Sequence, residues 1–356
     1  MSNNGILMMK LITAPPKSQQ IADLIRKEIR SRRLPPGQRL ESIRALADKF
    51  GVGRQVVLSA FEILVNEQLL IAEVGRGTFV NPVLPGVETV RRIGLLIQQH
   101  SLDSVFNRNV LAGVNSAAEA LGVELVWTLS NKSQRLAEWC GFHRLDGLLI
   151  TGSVDSQLID EAENAGLPFI VIGNYDLGAE VNSVESDLSG NMEELIHAIA
   201  QKYSFKTFGA ILSSSALPSN RQLVAGIKSG LAHAGKSFVK DFIVNDENEN
   251  GYDELALLME KCSSYPDFVF VTEQAYPGAA KYIFKHHLAE DARPKLITSV
   301  SDANTILYPE LITVALDGAG RQMGVAGVSE LIRIIKGESA PPVKLVSKSD
   351  FSFINQ

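Results

Sequence analysis

The chain has 356 residues, 45% of them apolar and 21% charged, with a net charge of −6. It is too long for one ordinary core and too well mixed for disorder, so two or three cooperative units are expected. No apolar run is long enough to span a membrane, and Met1 to Thr13 lacks the charged region, apolar stretch and cleavage site of a secretory leader, which points to the cytoplasm. Cys140 and Cys262 are the only cysteines, too few for a disulfide framework and without zinc or redox spacing, and read as ordinary thiols.

The acidic total hides an asymmetry. Met1 to Pro82 holds 12 Lys and Arg against 7 Asp and Glu, a surplus of five positive charges that leaves −11 on the rest. A basic module on an acidic body suits a nucleic-acid reader whose larger part does not adhere to phosphates.

Between Lys17 and Arg33 apolar residues recur at Ile21, Leu24, Ile25 and Ile29, one helical face, while Arg26, Lys27, Arg30, Arg32 and Arg33 remain for solvent or phosphate. Pro35-Pro36-Gly37 stops that helix. A second helix, Ser42 to Phe50, starts on a Ser cap, buries Ile43, Leu46 and Ala47, and ends at Gly51. A third runs from Arg54 to about Glu67 with Val57, Ala60, Phe61, Leu64 and Val65 inward, leaving Arg54, Gln55 and Ser59 free near its N-terminal end. In a helix-turn-helix that end enters the major groove. Leu69 to Val74 and Thr78 to Val80 then read as two short strands around Gly75-Arg76-Gly77, a wing whose bare backbone approaches a groove while Arg76 meets phosphate.

The phrases Arg33 to Leu40, Ser42 to Ala47, Phe50 to Arg54 and Gly75 to Val80 resemble the DNA-binding domain of the GntR family over about Lys17 to Pro82. The resemblance implies that Arg44 holds phosphate, that Arg54 reads or approaches bases, that Gly53, Gln55 and Val56 lie at the groove, and that Gly75, Arg76, Gly77 and Thr78 belong to the wing. Arg suits base reading because its forked donors match guanine O6 and N7. Glu41, Gly53 and Leu58 depart from the family's usual Pro, Ser or Thr, and second base-contacting Arg.

Val83 to Arg92 contains Pro85 and Gly86, shows no periodicity, and reads as a connector. Beyond it apolar runs alternate with amphipathic helices: strands at Ile93 to Ile97, Val123 to Trp127, Gly147 to Ile150 and Pro168 to Ile172, with helices ending near Leu121 and Ala165. The alternation resumes with helix Asp187 to Tyr203, strand Phe208 to Leu212, helix Asn220 to Ala234, strand Phe268 to Val271, helix Gly278 to His287 and strand Lys295 to Thr298. Two similar α/β lobes with parallel sheets are expected, with ligand in the cleft beyond the strands' carboxyl ends.

Arg92 to Ile97, Leu145 to Ile150, Ala165 to Ile172, Arg221 to Gly226 and Leu311 to Val314 resemble the ligand domain of LacI/GalR regulators, itself similar to periplasmic sugar-binding proteins. A GntR-type reader joined to a LacI-type sensor resembles the arabinose repressor group. The expected division is 1–82 as the winged helix-turn-helix head, 83–92 as linker, and 93–356 as the effector and dimerisation domain. Its first lobe takes about 93–185 and 318–345, and its second about 186–317 and 346–356. By the same resemblance the effector residues are Gln99, His100, Ser101, Asn174, Asp187, Arg221, Glu273, Asp302 and Asp317, with Phe106, Tyr175 or Tyr276 stacking on a sugar ring. Leu223 stands where the family has a second Arg, and Thr272-Glu273 replaces its usual Asn-Asp.

The expected function is a transcriptional repressor, homodimeric, with double-stranded operator DNA and a small carbohydrate effector as partners and without a cofactor. An enzyme would need a phosphate loop, a nucleophile with its base, or clustered metal ligands; Gly75-Arg76-Gly77 lacks the P-loop lysine, and no Gly-x-Ser-x-Gly elbow occurs. A transport-type sugar-binding protein would carry a leader and no basic head. His286-His287 reads as a surface pair, since adjacent helical residues point about 100° apart, and Trp127 and Trp139 read as packing residues.

Overall fold

A computed structural model describes residues 15–73, 75–82, 90–98, 104–130, 135–215, 217–247, 250–262, 265–289, 293–300, 307–339 and 341–354. The chain divides into two units, Met1–Thr89 and Val90–Gln356.

In the first unit, α1 (Lys17–Arg30), α2 (Ile43–Phe50) and α3 (Arg54–Asn66) precede the hairpin β1 (Leu70–Glu73) and β2 (Gly77–Val80). Ser42 caps α2 by accepting the Ala45 N–H at 3.2 Å, and Gly51 ends it at φ 62°, a left-handed conformation in which glycine meets no Cβ penalty. Ile25, Ile29, Leu46, Val57, Phe61 and Leu64 form the core, closed by Leu70 and Val80 of the hairpin. Two residues of the expected apolar faces lie elsewhere: Leu24 is 52% exposed and Val65 37%, because the buried stripe of α1 runs through Ala22 and that of α3 ends at Leu64. The cations of α1 are also less free than their positions suggest. Arg26 pairs with Asp23 and, at 2.6 Å, with Glu67 beyond α3; Arg33 pairs with Glu28; and Arg32 is buried at φ 64° just past the helix end.

The second unit contains two six-stranded sheets. The first comprises β3 (Arg92–Gln98), β4 (Glu124–Ser130), β5 (Gly147–Thr151), β6 (Phe169–Ile172), β7 (Ser183–Ser186) and β13 (Lys344–Ser347), all parallel in the order β13-β7-β6-β5-β3-β4. Its helices are α4 (Val105–Ala120), α5 (Leu136–His143), α6 (Ser156–Ala165) and α11 (Gly320–Lys336). The second sheet comprises β8 (Phe208–Leu212), β9 (Ile243–Asn245), β10 (Phe268–Val271), β11 (Lys295–Val300), β12 (Ile312–Asp317) and β14 (Phe351–Phe353), in the order β14-β12-β11-β10-β8-β9. All pairs are parallel except β14 with β12. Around it lie α7 (Leu188–Lys202), α8 (Pro218–His233), α9 (Tyr252–Lys261) and α10 (Tyr276–Lys285).

β5, β6, β8 and β10 are buried along their whole lengths, as strands of a parallel sheet covered on both faces must be, which is why they read as unbroken apolar runs. The covering helices approach closely: a Cβ on Gly113 of α4 would stand 2.1 Å from the Arg321 carbonyl of α11, and one on Gly226 of α8 2.4 Å from the Ser189 carbonyl of α7. Trp127 departs from its expected packing role. β4 is the edge strand, so among the described residues one side of Trp127 has no neighbouring strand, and it is 49% exposed; Trp139 is buried against Gly94. Cys140 is also buried, which pushes its thiol up to about 11.

The chain passes between the sheets three times, from β7 to α7, from β12 to α11 and from β13 to β14. Backbone bonds from Asp187 N–H to the Ser347 carbonyl at 2.9 Å and from Asp317 N–H to the Asp350 carbonyl at 2.8 Å tie these crossings together.

Candidate DNA interface and effector site

The turn Gly51-Val52-Gly53 presents the start of α3. Gly53 caps the helix with extended backbone and no side-chain bond, so the helix's first N–H groups and the exposed Arg54 and Gln55 face outward, with Val56 half-buried behind them. Arg44, in the first turn of α2, is exposed and has no ion-pair partner among the described residues, and the same holds for Arg54.

At the wing, Glu73 pairs with Gly77 in the hairpin register, Gly75 adopts φ 76° and Gly77 φ 121°. Arg76 is exposed at the tip and leans on Glu73 at 2.5 Å, while Thr78 is half-buried. A residue outside the expected set joins them. The segment Gln38 to Leu40 pairs with β2 through Leu40 N–H to the Thr78 carbonyl and Val80 N–H to the Gln38 carbonyl, both 2.9 Å. This lays the Arg39 guanidinium across Gly77, where a Cβ would be 3.0 Å from Nε. Arg39 is exposed and has no ion-pair partner among the described residues; the one sequence signal for it was its place within the phrase Arg33 to Leu40. These three cations, at the start of α3, on α2 and beside the wing, unpaired among the described residues, make a surface suited to a phosphate backbone.

In the second unit the segments after the strands' carboxyl ends meet. Asn174, following β6, accepts the Ser186 N–H at 3.0 Å and donates to the Ser186 carbonyl and to Gln222 Oε1 of α8, both at 2.7 Å. Asp176 pairs with Arg221 of α8. Both contacts join an element of the first sheet to one of the second, so Asn174 and Arg221 come together. Asp187, next to Ser186, is occupied in capping α7 through the Gly190 N–H at 2.9 Å. Gln222 and Asp176 complete the arrangement and were not expected from sequence; each adjoins, or lies two residues from, a residue that was.

The three aromatics differ in availability. Phe106 is half-buried at the start of α4, with its carbonyl against Gly320. Tyr175 is half-buried; its hydroxyl donates to the Gly152 carbonyl and accepts the Gly152 N–H at 3.1 Å, and burial pushes it up to about 12. Tyr276 is buried in the second sheet's core and donates to the Tyr308 carbonyl at 2.6 Å, so its ring faces packing partners and not a ligand. Glu273 is half-buried two residues past β10, and Asp317 is exposed at the end of β12. Gln99, His100, Ser101 and Asp302 lie outside the described residues. His286 is exposed, with its ring 4.3 Å from that of Tyr282 and Nε2 3.1 Å from the Tyr252 hydroxyl. Among the described residues no three His, Cys, Asp or Glu gather for a metal, and no helix is long and apolar enough to cross a membrane.

Residues 17–80 match the family model of bacterial regulatory proteins of the gntR family. The chain is 43% identical over 65 residues to the mannosyl-D-glycerate transport/metabolism system repressor MngR of Escherichia coli (strain K12), covering 18% of this chain and 27% of that one. It thus spans about a quarter of the length of that curated relative. Solved structures are similar over much more of the chain. The transcription regulator CcpA of Lactococcus lactis superposes with a TM-score of 0.63 at 15% identity, over 74% of this chain and 98% of that one. The transcriptional regulator CelR in complex with cellobiose gives a TM-score of 0.64 at 15% identity, over 88% and 98%. A GntR-type helix-turn-helix head therefore precedes an α/β unit with the parallel-sheet fold of LacI-type regulators.

Proposed function

We propose that this protein is a cytoplasmic, homodimeric transcriptional repressor whose affinity for operator DNA is set by a small effector, a sugar or sugar derivative, bound between the two sheets of the larger unit. Residues 1–82 act as the DNA-binding head, 83–92 as linker, and 93–356 as the effector and dimerisation domain. The observation that carries the proposal is the GntR-type head, with Arg39, Arg44 and Arg54 unpaired among the described residues, on a chain whose remainder has the fold of the transcriptional regulators CcpA and CelR.

On DNA, Arg44 and Arg39 neutralise phosphates while Arg54 and Gln55 reach base edges in the major groove, with Gly53 and Val56 allowing close approach. Arg76 leaves Glu73 for phosphate or a narrow minor groove, and Gly75, Gly77 and Thr78 shape that wing. Two copies present two such heads about one helical turn, roughly 34 Å, apart or a multiple of it, to a near-palindromic site. In the effector domain the Asn174–Gln222 and Arg221–Asp176 contacts are available for exchange: a polyol that bonds Asn174 and Arg221 replaces bonds the sheets now make with each other, and so changes their closure. Phe106 and the exposed face of Tyr175 flank the site. Gln99, His100, Ser101, Asp187, Glu273, Asp302 and Asp317 belong to the same rim by resemblance.

The test is selection of DNA sites from a random library by the full-length protein, followed by anisotropy titration of the selected duplex with and without monosaccharides, sugar acids, polyols and phosphosugars. A selected near-palindrome, bound by the parent and not by Arg54→Ala, and released or tightened by one sugar class, is the expected result. Equal binding by Arg54→Ala, or no enrichment of any site, overturns the proposal.

A further inference from the structure

Apart from the candidate effector site, the turn between β9 and α9 holds two carboxylates that the fold satisfies only in part. Asp246 follows β9 and is 1% exposed; Glu254 lies in the first turn of α9 and is 8% exposed. Each uses one oxygen locally: Asp246 Oδ1 accepts the Asn250 N–H at 3.0 Å, and the Glu254 carboxylate faces back to the Gly251 N–H. The other oxygens, Asp246 Oδ2 and Glu254 Oε2, are buried without a hydrogen-bond partner, and neither residue has a Lys, Arg or His partner among the described residues. Burial and the neighbouring Asp246 and Asp253 hold the Glu254 carboxyl above its usual range. A third unpartnered oxygen, Thr272 Oγ1, stands at the end of β10 on the turn Thr272 to Ala275, which abuts Gly251: a Cβ on Gly251 would be 1.9 Å from the Ala275 carbonyl.

Buried charge without a partner is costly and calls for a counter-ion. The sequence says which kind. Asp246-Glu247-Asn248-Glu249-Asn250-Gly251 has the Asp-x-Asn-x-Asn-Gly spacing of the first half of a calcium loop, with Gly251 at φ 67° in the position where such loops require a sharp turn, and Glu254 at the ninth position. Asn248 and Glu249 lie outside the described residues, and Asn250 Oδ1 caps α9 by accepting from Tyr252 and Asp253. The twelfth position is Leu257, not Glu, so the loop lacks its strongest ligand.

We propose that Asp246 and Glu254, with Thr272, bind a hard divalent cation of the Ca2+ class at the junction of β9, β10 and α9. Oxygen donors alone suit such an ion, and a ligand set of two carboxylates places it among the weak sites, with Kd on the order of 10⁻⁴–10⁻³ M. The bound ion ties the β9–α9 turn to the end of β10, beside Glu273 of the candidate effector rim.

The experiment uses the full-length protein stripped with EDTA at pH 7.5. Melting is followed with CaCl2, MgCl2 or NaCl at matched ionic strength, and Tb3+ emission sensitised by the adjacent Tyr252 reports direct occupancy. Ca2+ at about 10 mM should raise Tm by about 3 °C or more, relative to NaCl. Tb3+ emission should appear in the parent and fall at least tenfold in apparent affinity in Asp246→Asn and Glu254→Gln. Asn at 246 keeps the acceptor for the Asn250 N–H, and Glu254→Gln gives a second route if that turn fails to form. A response to Mg2+ alone that both substitutions abolish also supports the site and assigns the smaller ion. No response to either ion in the parent, or a response both substitutions leave intact, overturns it. A sugar response in the effector assay alongside no ion response leaves the proposed function standing and removes this site alone.

Discussion

Asn174→Ala removes the three hydrogen bonds through which the segment after β6 grips the first crossing and touches the second sheet. Two of them satisfy the N–H and carbonyl of Ser186, a buried residue, and the third reaches Gln222. A lost hydrogen bond costs about 1 kcal/mol, and a buried backbone group left unpaired about 1–3 kcal/mol, so the substitution is expected to cost about 2–4 kcal/mol. For a unit of this size that lowers Tm by roughly 4–16 °C. Gln222→Ala loses only the bond between sheets and should cost about 0.5–1.5 kcal/mol. Urea unfolding of the parent, both single variants and the double variant gives the coupling between the two side chains, expected near 1 kcal/mol. If Asn174→Ala unfolds within about 0.5 kcal/mol of the parent, the crossing does not depend on this side chain. If the coupling is zero, the contact between the sheets is not formed in solution and cannot be what an effector exchanges.

Three further outcomes follow from the head. Arg44→Ala should weaken binding to all DNA sequences alike and reduce the slope of log K against log salt by about 1 per head, measured by anisotropy between 50 and 200 mM salt; a change confined to one base position would make Arg44 a base reader. Gly77→Ala forces a Cβ onto a residue at φ 121° and against Arg39, and should cost about 1–3 kcal/mol in urea unfolding while weakening DNA binding through a displaced Arg39. Ser42→Ala removes the cap on α2 and should cost about 1 kcal/mol, with no change in salt slope.

The parts of this fold that were legible are those where burial is complete or a local rule is strong. β8 and β10 fall at the residues expected, Phe208–Leu212 and Phe268–Val271, because a strand covered on both faces is apolar throughout. The head was legible through Ser42, Gly51 and the wing glycines, whose roles are set by backbone geometry within a few residues. By contrast β7 has the sequence Ser-Val-Glu-Ser and β9 is three residues long; each becomes a strand only by pairing with a neighbour distant in sequence. α5, α9, β13 and β14 were likewise not anticipated. The same distance effect separates the cations. Arg26 and Arg44 look alike on a helical wheel, but Glu67, 41 residues away, folds back onto Arg26 and nothing described does so to Arg44. Leu24 and Trp127 show the reverse: apolar character states a preference for burial, and only the position of a partner decides whether it is met.

The acidic turn at α9 makes a prediction of definite sign without any ligand. The Glu254 carboxyl lies above its usual value in the folded protein, chiefly through burial and then through Asp246 and Asp253, and no Lys, Arg or His among the described residues is paired with it. A raised carboxyl favours the protonated folded state, so its contribution is fully present below the ordinary carboxyl value near 4.5 and is lost as pH climbs through the raised one. Gln carries no such titration. In EDTA, Glu254→Gln should therefore gain on the parent as pH rises from 4.5 towards neutrality, with the difference levelling once Glu254 is ionised in the fold. Urea unfolding of the two proteins across that range measures it directly. Saturating Ca2+ should reverse the order at neutral pH, because the ion favours the ionised carboxylate that Gln cannot supply. A difference that stays constant with pH would mean that Glu254 reaches solvent or a partner in place of the buried position found here, and a difference that shrinks as pH rises would mean that a positive charge already serves it.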